Sequence, residues 1–101
     1  MAMTKICKVN DIPKNGMKGF EINGRKIFIA NVNENYYCND SHCTHRGAPL
    51  EDGDLNRNVV TCPWHGAEFD VTTGANLSPP APAPVRHNKI EIKGDEIWAD
   101  L

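Results

Sequence analysis

Two cysteines and two histidines stand in matching pairs near the middle of the chain. One residue separates Cys43 from His45 and two separate Cys62 from His65, with sixteen residues between the two pairs. Thiolate sulfur and imidazole nitrogen are both ligands for transition metals. Each pair is short enough to lie on one tight turn, so we expect two loops that close over opposite sides of a single metal site.

The mixed composition of each pair favours a cluster of two irons and two sulfides. Thiolate is a soft anionic donor and imidazole a neutral one, so two cysteines on one iron and two histidines on the other make the irons unequal. Gly47 lies two positions after His45, and Gly66 directly follows His65. Without a Cβ, each allows the backbone to approach closely, and neighbouring N–H groups are expected to point at the bridging sulfides.

Two other kinds of site use the same residue types. A structural zinc site also takes two cysteines and two histidines, but zinc modules usually pair like with like, whereas the order here alternates. A catalytic Cys/His pair would leave the second pair unexplained. The pattern therefore favours the iron–sulfur cluster over both alternatives.

Length and charge narrow the class of protein. A chain of 101 residues is expected to form one small domain, which gains stability from a metal staple. The net charge is −2 and there is no basic block, so nucleic acid and anionic membranes are not expected as partners. The amino-terminal residues lack a run of apolar residues long enough for a signal peptide, and no apolar span of transmembrane length occurs, which predicts a cytoplasmic protein.

Two further cysteines are assigned to the core. Cys7 and Cys38 lie in apolar contexts typical of strands, where a free thiol acts as a small hydrophobic side chain. Because a cytoplasmic protein rarely keeps a disulfide, we expect both to be free.

The hydrophobic pattern predicts an all-β fold. Turn residues interrupt short apolar or alternating runs, and no segment has a sustained apolar pattern of helical spacing. The predicted strands are Lys5–Val9, Lys18–Asn23, Arg25–Val32, Tyr36–Asn39, Val59–Cys62, Ala67–Val71, Val85–Ile92 and Glu96–Leu101.

Turns and core residues complete the sequence prediction. The dipeptide Asn23-Gly24 between two alternating runs indicates a two-residue type I′ hairpin, and further turns are expected at Thr73-Gly74 and Gly94-Asp95. The proline-rich segment 78–84 should be an extended, stiff loop that covers the metal loops. The residues expected in the core are Phe20, Phe28, Ile90, Ile92 and Trp98.

The chain closely resembles the Rieske ferredoxins, which are small electron carriers of aromatic-ring dioxygenase systems such as those for biphenyl, naphthalene and carbazole. The resemblance covers nearly the whole chain and is strongest over 43–48, Asp52-Gly53, 62–66, Phe69-Asp70 and Thr73-Gly74. It implies an antiparallel β-sandwich, with residues 1–101 as one Rieske domain and a two-loop cluster-binding subdomain over about residues 40–70. It also implies one Rieske-type [2Fe–2S] cluster, with Cys43 and Cys62 on the buried iron and His45 and His65 on the outer iron.

Departures from the membrane-anchored respiratory Rieske proteins indicate a low reduction potential. Those proteins have a disulfide between the loops at positions that correspond to Ala48 and Trp64, and hydroxyl donors to the cluster sulfurs at positions that correspond to Ala67 and Phe69. A hydrogen bond to a cluster sulfur favours the reduced state, so the loss of both donors lowers the potential. We expect a value near the bottom of the Rieske range of roughly −150 to +300 mV.

The resemblance also implies partners and a mode of action. The protein would catalyse no reaction itself, and would pass electrons from an NAD(P)H-dependent flavoprotein reductase to a terminal Rieske non-haem iron oxygenase, most simply as a monomer. Partners should dock over the outer histidines, with Pro49, Trp64, Pro80 and Arg46 at the rim, although Trp64 could equally shield the cluster. His42 is a weak candidate for supporting the ligands, and His87 is expected to face solvent.

Three other functions compete with this interpretation. A small Rieske subunit of an assimilatory nitrite reductase would have the same fold, although such subunits often lack part of the ligand set. A catalytic oxygenase needs a separate domain with two histidines and a carboxylate on non-haem iron, and the chain is too short for one. A zinc-stapled interaction module would be colourless and redox-silent.

Overall fold

The fold consists of short antiparallel strands, as the sequence predicts. A computed structural model describes residues 3–41, 49–64, 66–78 and 83–101. Two short 3-10 turns cover Val9–Asp11 and Leu50–Asp52. The strands are β1 Met3–Lys8, β2 Met17–Ile22, β3 Arg25–Val32, β4 Asn35–Asp40, β5 Asp54–Asn56, β6 Val59–Thr61, β7 Glu68–Asp70, β8 His87–Asn88, β9 Ile90–Lys93 and β10 Glu96–Asp100.

Within the described residues, the strands form three antiparallel sheets. The central sheet has the order β2-β3-β4-β8, a second sheet has the order β1-β10-β9, and a third has the order β5-β6-β7. Strand β3 lies inside the central sheet, paired with β2 on one side and β4 on the other. Both faces of β3 are consequently buried over residues 27–31.

Successive side chains of β3 enter two different cores. Ile27 and Ile29 lie among residues of β1, β4 and β10, whereas Phe28 and Ala30 lie among residues of β6, β7 and the loops beside them. The alternation follows from the two-residue period of a strand. The central sheet is therefore covered on one face by the β1-β10-β9 sheet and on the other by the β5-β6-β7 sheet.

Tight turns set the register of the hairpins. Asn23 and Gly24 have φ angles of 50° and 82°, and Ile22 pairs with Arg25 across them, which confirms the predicted type I′ hairpin. Gly94, with φ 63°, starts the two-residue turn between Lys93 and Glu96, as expected. Gly74, with φ 84°, lies in the predicted turn after β7.

One predicted strand is divided in the structure, and one observed strand was not predicted. The run predicted as one strand, 85–92, divides at Lys89: His87–Asn88 pairs with β4, whereas Ile90–Lys93 pairs with β10. The polar strand β5, Asp54–Asn56, was not predicted, because only one of its three residues is apolar and β-propensity alone does not reveal it.

Two of the core predictions are also wrong. Phe28 is fully buried, as expected. Ile92, in contrast, is 45% exposed, because β9 is an edge strand.

Trp98 is only partly buried. It faces away from the core, whereas Ile97 and Ala99 of the same strand point into it. Its indole Nε1 donates to Glu96, and Lys93 Nζ lies 4.5 Å from the ring centroid. Phe20 and Ile90 pack at the margin of the core.

Cys7 and Cys38 are buried free thiols in the same core, as predicted. Burial raises the pKa of Cys7 to about 11 and that of Cys38 to about 12. Both side chains therefore stay neutral near pH 7 and act as apolar packing groups. Among the described residues, no helix is long and apolar enough to cross a membrane.

Candidate metal centre

The second ligand loop begins at the end of β6 and is anchored to the fold by its first residue. Cys62 follows Thr61 directly and is only 2% exposed, packed in the core that contains Phe28, Leu50 and Ala67. Its backbone N–H donates to Ala67 O at 2.7 Å, which closes the loop at its base. The sulfur of Cys62 is thereby held in a fixed, water-poor position, as a buried metal ligand requires.

Gly66 shapes the other end of this loop. Its φ of 75° lies in the left-handed region, and its N–H donates to Cys62 O at 3.2 Å. Glycine adopts this backbone conformation without the steric cost that other residues incur. We expected neighbouring N–H groups to point at sulfides; the N–H of Gly66 itself is used within the turn.

The other three predicted ligands lie outside the described residues. These are Cys43, His45 and His65, and the same holds for Gly47, His42, Arg46, Ala48 and Pro80. Both flanks of the first ligand loop are described, however. Ser41 is 3% exposed at the end of β4, and Leu50 is fully buried where the chain re-enters the core.

The two flanks of the first loop are joined by a side-chain hydrogen bond. Ser41 Oγ donates to Glu51 Oε1, ten positions further along the chain. Ser41 N–H also donates to Lys26 O at 2.9 Å, which ties this flank to β3. Sequence reasoning missed this pair, because only the fold brings a serine after β4 and a glutamate in a 3-10 turn together.

A partly buried polar network also supports this flank of the first ligand loop. Arg25 Nη2 donates to Asp40 Oδ1 at 2.9 Å and to Asn88 Oδ1 at 3.3 Å. Asn88, which is 3% exposed, donates in turn to Asp40 Oδ1 at 3.0 Å. The ends of β3, β4 and β8 are thus fixed to one another directly before the first ligand loop.

Gly53 allows the two ligand loops to lie close together. A Cβ at this position would overlap Thr61 O and fall 3.2 Å from Pro63 Cδ, next to Cys62. The backbone after the first loop therefore packs directly on the end of β6. This contact gives a physical reason for the glycine in the Asp52-Gly53 motif.

The positions expected to lack hydroxyl donors are both buried beside the candidate centre. Ala67 and Phe69 have no exposed surface and share the core that contains Cys62. Neither side chain can donate a hydrogen bond. Of the predicted rim residues that are described, Trp64 is 58% exposed, whereas Pro49 is partly buried.

Asn39 links the central sheet to the chain that follows β7. Fully buried, it donates from Nδ2 to Val71 O at 2.8 Å, and its Oδ1 lies 2.9 Å from His87 Nδ1. Since Oδ1 is an acceptor, the His87 Nδ1 carries the proton. His87 is exposed, as predicted, and burial of part of its ring lowers its pKa, although the nearby Asp70 opposes this effect.

The carboxylate of Asp70 organises the turn after β7. It accepts hydrogen bonds from the Thr72 backbone N–H at 2.9 Å and the Thr72 hydroxyl at 2.6 Å. Burial raises the pKa of Asp70, but the hydrogen bonds from Thr72 and Asn58 outweigh it, so that the pKa is lowered overall. Asp70 is therefore ionised at neutral pH and stabilises the turn.

Comparison with known proteins identifies the family. Residues 2–89 match the family model described as Rieske [2Fe-2S] domain. The chain belongs to the Rieske [2Fe–2S] domain family. As a member, it binds a Rieske-type [2Fe–2S] cluster, which decides against the zinc site that the ligand types alone left open.

Relatives of this Rieske protein are ferredoxins of dioxygenase systems. It is 35% identical to the ferredoxin component of biphenyl 2,3-dioxygenase from Rhodococcus jostii (strain RHA1), over 100% of this chain and 94% of the relative. It is 31% identical to the ferredoxin component of the naphthalene 1,2-dioxygenase system of Pseudomonas aeruginosa, over 90% of this chain and 88% of the relative.

A solved structure of a related ferredoxin has the same fold. In the complex of reduced oxygenase and oxidized ferredoxin in carbazole 1,9a-dioxygenase, the matching chain superposes with a TM-score of 0.90 at 28% identity. The match covers 96% of this chain and 91% of that chain. The predicted all-β Rieske fold is thus confirmed.

The described part of the centre fits a Rieske cluster. Cys62 offers a free, buried sulfur at the start of a closed turn, which suits a thiolate ligand to an iron shielded from water. The sequence supplies the complete donor set of two thiols and two imidazoles.

Proposed function

We propose that the protein is a one-electron carrier that catalyses no reaction itself. It takes electrons from an NAD(P)H-dependent flavoprotein reductase and delivers them to a terminal Rieske non-haem iron oxygenase. The observation that carries this proposal is the 35% identity, over the full chain, to the ferredoxin component of a biphenyl dioxygenase. The related complex between an oxygenase and a ferredoxin supports an oxygenase as the acceptor.

The proposed ligands divide by residue type. Cys43 and Cys62 would hold the buried iron, and His45 and His65 the outer one, within a cluster-binding subdomain over about residues 40–70 of a single domain. The burial of Cys62 at the base of its loop supports the inner position for cysteine. When bound, the cluster supplies reversible one-electron chemistry.

Residues of this chain then control access to the centre. Leu50, Ala67 and Phe69 are fully buried around Cys62 and exclude water from that side. Trp64, two positions after Cys62, exposes 58% of its surface and offers an apolar contact within the second ligand loop. Such a small, partly apolar surface suits a partner that must dissociate after each electron transfer.

The carrier is proposed to work at low potential. Ala67 and Phe69 replace the two hydroxyl donors of the respiratory Rieske proteins, so that fewer hydrogen bonds favour the reduced state. We place the midpoint potential near the lower end of the Rieske range of roughly −150 to +300 mV. This value suits a flavoprotein donor better than a quinol.

We further propose a monomer that works in the cytoplasm. A shuttle that serves two partners in turn needs a free docking surface, which favours a monomer. The buried free thiols of Cys7 and Cys38, which are not among the proposed ligands, suit a reducing compartment. Sedimentation of the purified holoprotein tests the first point and cell fractionation the second.

Reconstituted electron transfer tests the function. The purified holoprotein is mixed with the reductase and terminal oxygenase of a biphenyl-type dioxygenase, and NADH-dependent substrate turnover is measured against its concentration. We expect turnover that requires this protein and saturates with it. Trp64→Ala should raise the half-saturating concentration severalfold, whereas Ile92→Ala, which alters a 45% exposed residue of the β1-β10-β9 sheet, should not.

Two results would contradict the proposal. The first is a holoprotein that is reduced by dithionite but passes no electron to any oxygenase tested. The second is a clearly positive midpoint potential. Electron transfer to a haem-containing nitrite reductase instead would favour the reductase subunit considered from the sequence.

A further inference from the structure

A side-chain hydrogen bond joins the two ends of the first ligand loop. Residues 42–48 carry two of the proposed ligands, and the described chain resumes at Pro49. On the two sides of this segment, Ser41 Oγ donates to the carboxylate of Glu51. This hydrogen bond joins the end of β4 to the 3-10 turn Leu50–Asp52 and so fixes the separation of the loop ends.

Both partners of this hydrogen bond are held by the surrounding fold. Ser41 is 3% exposed, and its N–H donates to Lys26 O at 2.9 Å. On the other side, Leu50 is fully buried beside Glu51, and Gly53 N–H donates to Leu50 O at 3.0 Å. The serine and the glutamate are therefore held by the fold itself and not only by each other.

A glycine in the central sheet makes room for the glutamate. Gly19 lies within β2, opposite Phe28. A Cβ on Gly19 would fall 2.7 Å from Glu51 Cγ and 2.6 Å from its Cδ, closer than such atoms approach. Glycine inside a strand normally lowers stability, so its presence here is explained by the side chain that lies over it.

We propose that Ser41 and Glu51 are positioning residues for the cluster, acting as a clasp that holds Cys43 and His45 in register with Cys62 and His65. Since ligand geometry controls how firmly a metal centre is held, opening the clasp loosens the first loop without removing any ligand. The inference rests on the family's cluster site and is independent of the identity of the redox partners.

Chelator challenge of the purified holoprotein tests the clasp. Ser41→Ala and Glu51→Ala are compared with the wild type for the rate of visible bleaching in excess chelator, at a temperature where far-UV circular dichroism shows each variant folded. We expect loss of the cluster to accelerate roughly tenfold in each, the effect of one hydrogen bond to a charged group. The electron paramagnetic resonance lines of the reduced protein should broaden or shift in parallel.

Three comparisons separate positioning from a general effect on stability. Glu51→Gln keeps an acceptor oxygen for Ser41 and should restore a rate close to that of the wild type. Ser41→Ala combined with Glu51→Ala should be no faster than either single variant, because both remove the same hydrogen bond. Glu21→Ala, an exposed carboxylate on the same strand as Gly19, is the matched control and should leave the rate unchanged.

The proposal is overturned by either of two results. One is bleaching of the folded single variants at the wild-type rate with an unchanged resonance spectrum. The other is bleaching that only follows global unfolding, with the double variant showing the full sum of the single effects. A protein that fails to serve an oxygenase but shows the expected bleaching pattern would refute the proposed partners and leave the clasp intact.

Discussion

The low potential proposed for the centre depends on two side chains, Ala67 and Phe69. Both are fully buried in the core that contains Cys62, and neither can donate a hydrogen bond. In the same way, the backbone of Gly66 and the carboxylate of Asp70 each define one turn near the centre. The hydrogen-bond donors beside the centre and the turns around it depend on the identity of single residues, so single substitutions can alter them.

We expect Phe69→Tyr to raise the midpoint potential by roughly 60 mV, because a tenfold shift toward the reduced state corresponds to about 59 mV for one electron. The added hydroxyl stabilises the negative charge gained on reduction. A redox titration followed by electron paramagnetic resonance measures the change. Phe20→Tyr, in the other core, is the control and should leave the potential unchanged. An unaltered potential in a well-folded Phe69→Tyr variant would refute the explanation.

Asp70 should make the stability of the protein depend on pH. The folded state lowers the pKa of this carboxyl below its ordinary 3.8, so the unfolded chain binds its proton more readily. Its contribution is therefore fully present above the ordinary value and is lost as the pH falls through the folded value. The difference in free energy of unfolding between wild type and Asp70→Asn should be largest near pH 7 and shrink below about pH 4.

Denaturant titrations at a series of pH values measure this difference. Asp54→Asn, which neutralises an exposed carboxylate in β5, serves as the control. A difference for Asp70→Asn that stays constant from pH 7 to 3 would show that its ionisation does not stabilise the turn.

Short elements place the two ligand loops through close backbone contacts. The 3-10 turn Leu50–Asp52 leads from the first loop to Gly53, which lies against the end of β6 where the second loop begins. The hydrogen bond from Asn39 to Val71 O similarly joins β4 to the turn after β7. The relative position of the loops therefore depends on contacts between elements and not on either loop alone.

Gly53→Ala should destabilise the protein by about 1–3 kcal/mol, the usual cost of forcing extra atoms into a packed site. The new methyl would overlap Thr61 O, so the ends of the two loops must move apart. Gly24→Ala is the comparison: a Cβ there meets nothing within 4 Å, and only the φ of 82° opposes it.

Denaturant unfolding and the resonance spectrum of the reduced protein distinguish the two variants. We expect Gly24→Ala to lower stability while leaving the spectrum unchanged, and Gly53→Ala to change both. Identical behaviour of the two variants would show that the close approach at Gly53 does not position the loops.

The molecule as a whole is organised around β3. Phe28 and Ala30 face the core beside the metal centre, and Ile27 and Ile29 face the other core. One strand thus contributes to both cores, and neither can be exposed without disturbing β3. For so small a protein, this arrangement predicts that both cores unfold together.

Phe28→Ala should cost about 3–5 kcal/mol and Ile29→Val about 0.5–1.5 kcal/mol, as is usual for buried side chains. Both losses should appear in a single transition in which the visible absorbance of the cluster and the far-UV circular dichroism change at the same denaturant concentration. Separate transitions for the two probes would show that the core beside the metal centre unfolds on its own.

Local patterns in the sequence predicted much of this protein correctly. The ligand types and spacing indicated the cluster, the period-two alternation gave most strands, and Asn23-Gly24 specified its hairpin, because each of these signals resides in neighbouring residues. The division of 85–92 at Lys89, the polar strand β5 and the exposure of Ile92 were not predictable in this way. They depend on which strands become neighbours and which become edges.

The contacts that hold the ligand loops in place could likewise be identified only from the tertiary structure. The ligand types and their order are local properties of the chain, and they favoured an iron–sulfur cluster over zinc before the family match decided between the two. The Ser41–Glu51 hydrogen bond and the fit of Gly19 beneath Glu51 join residues from separate elements. Tertiary structure alone decided these contacts, because pairing and packing bring together groups whose separation in sequence carries no signal.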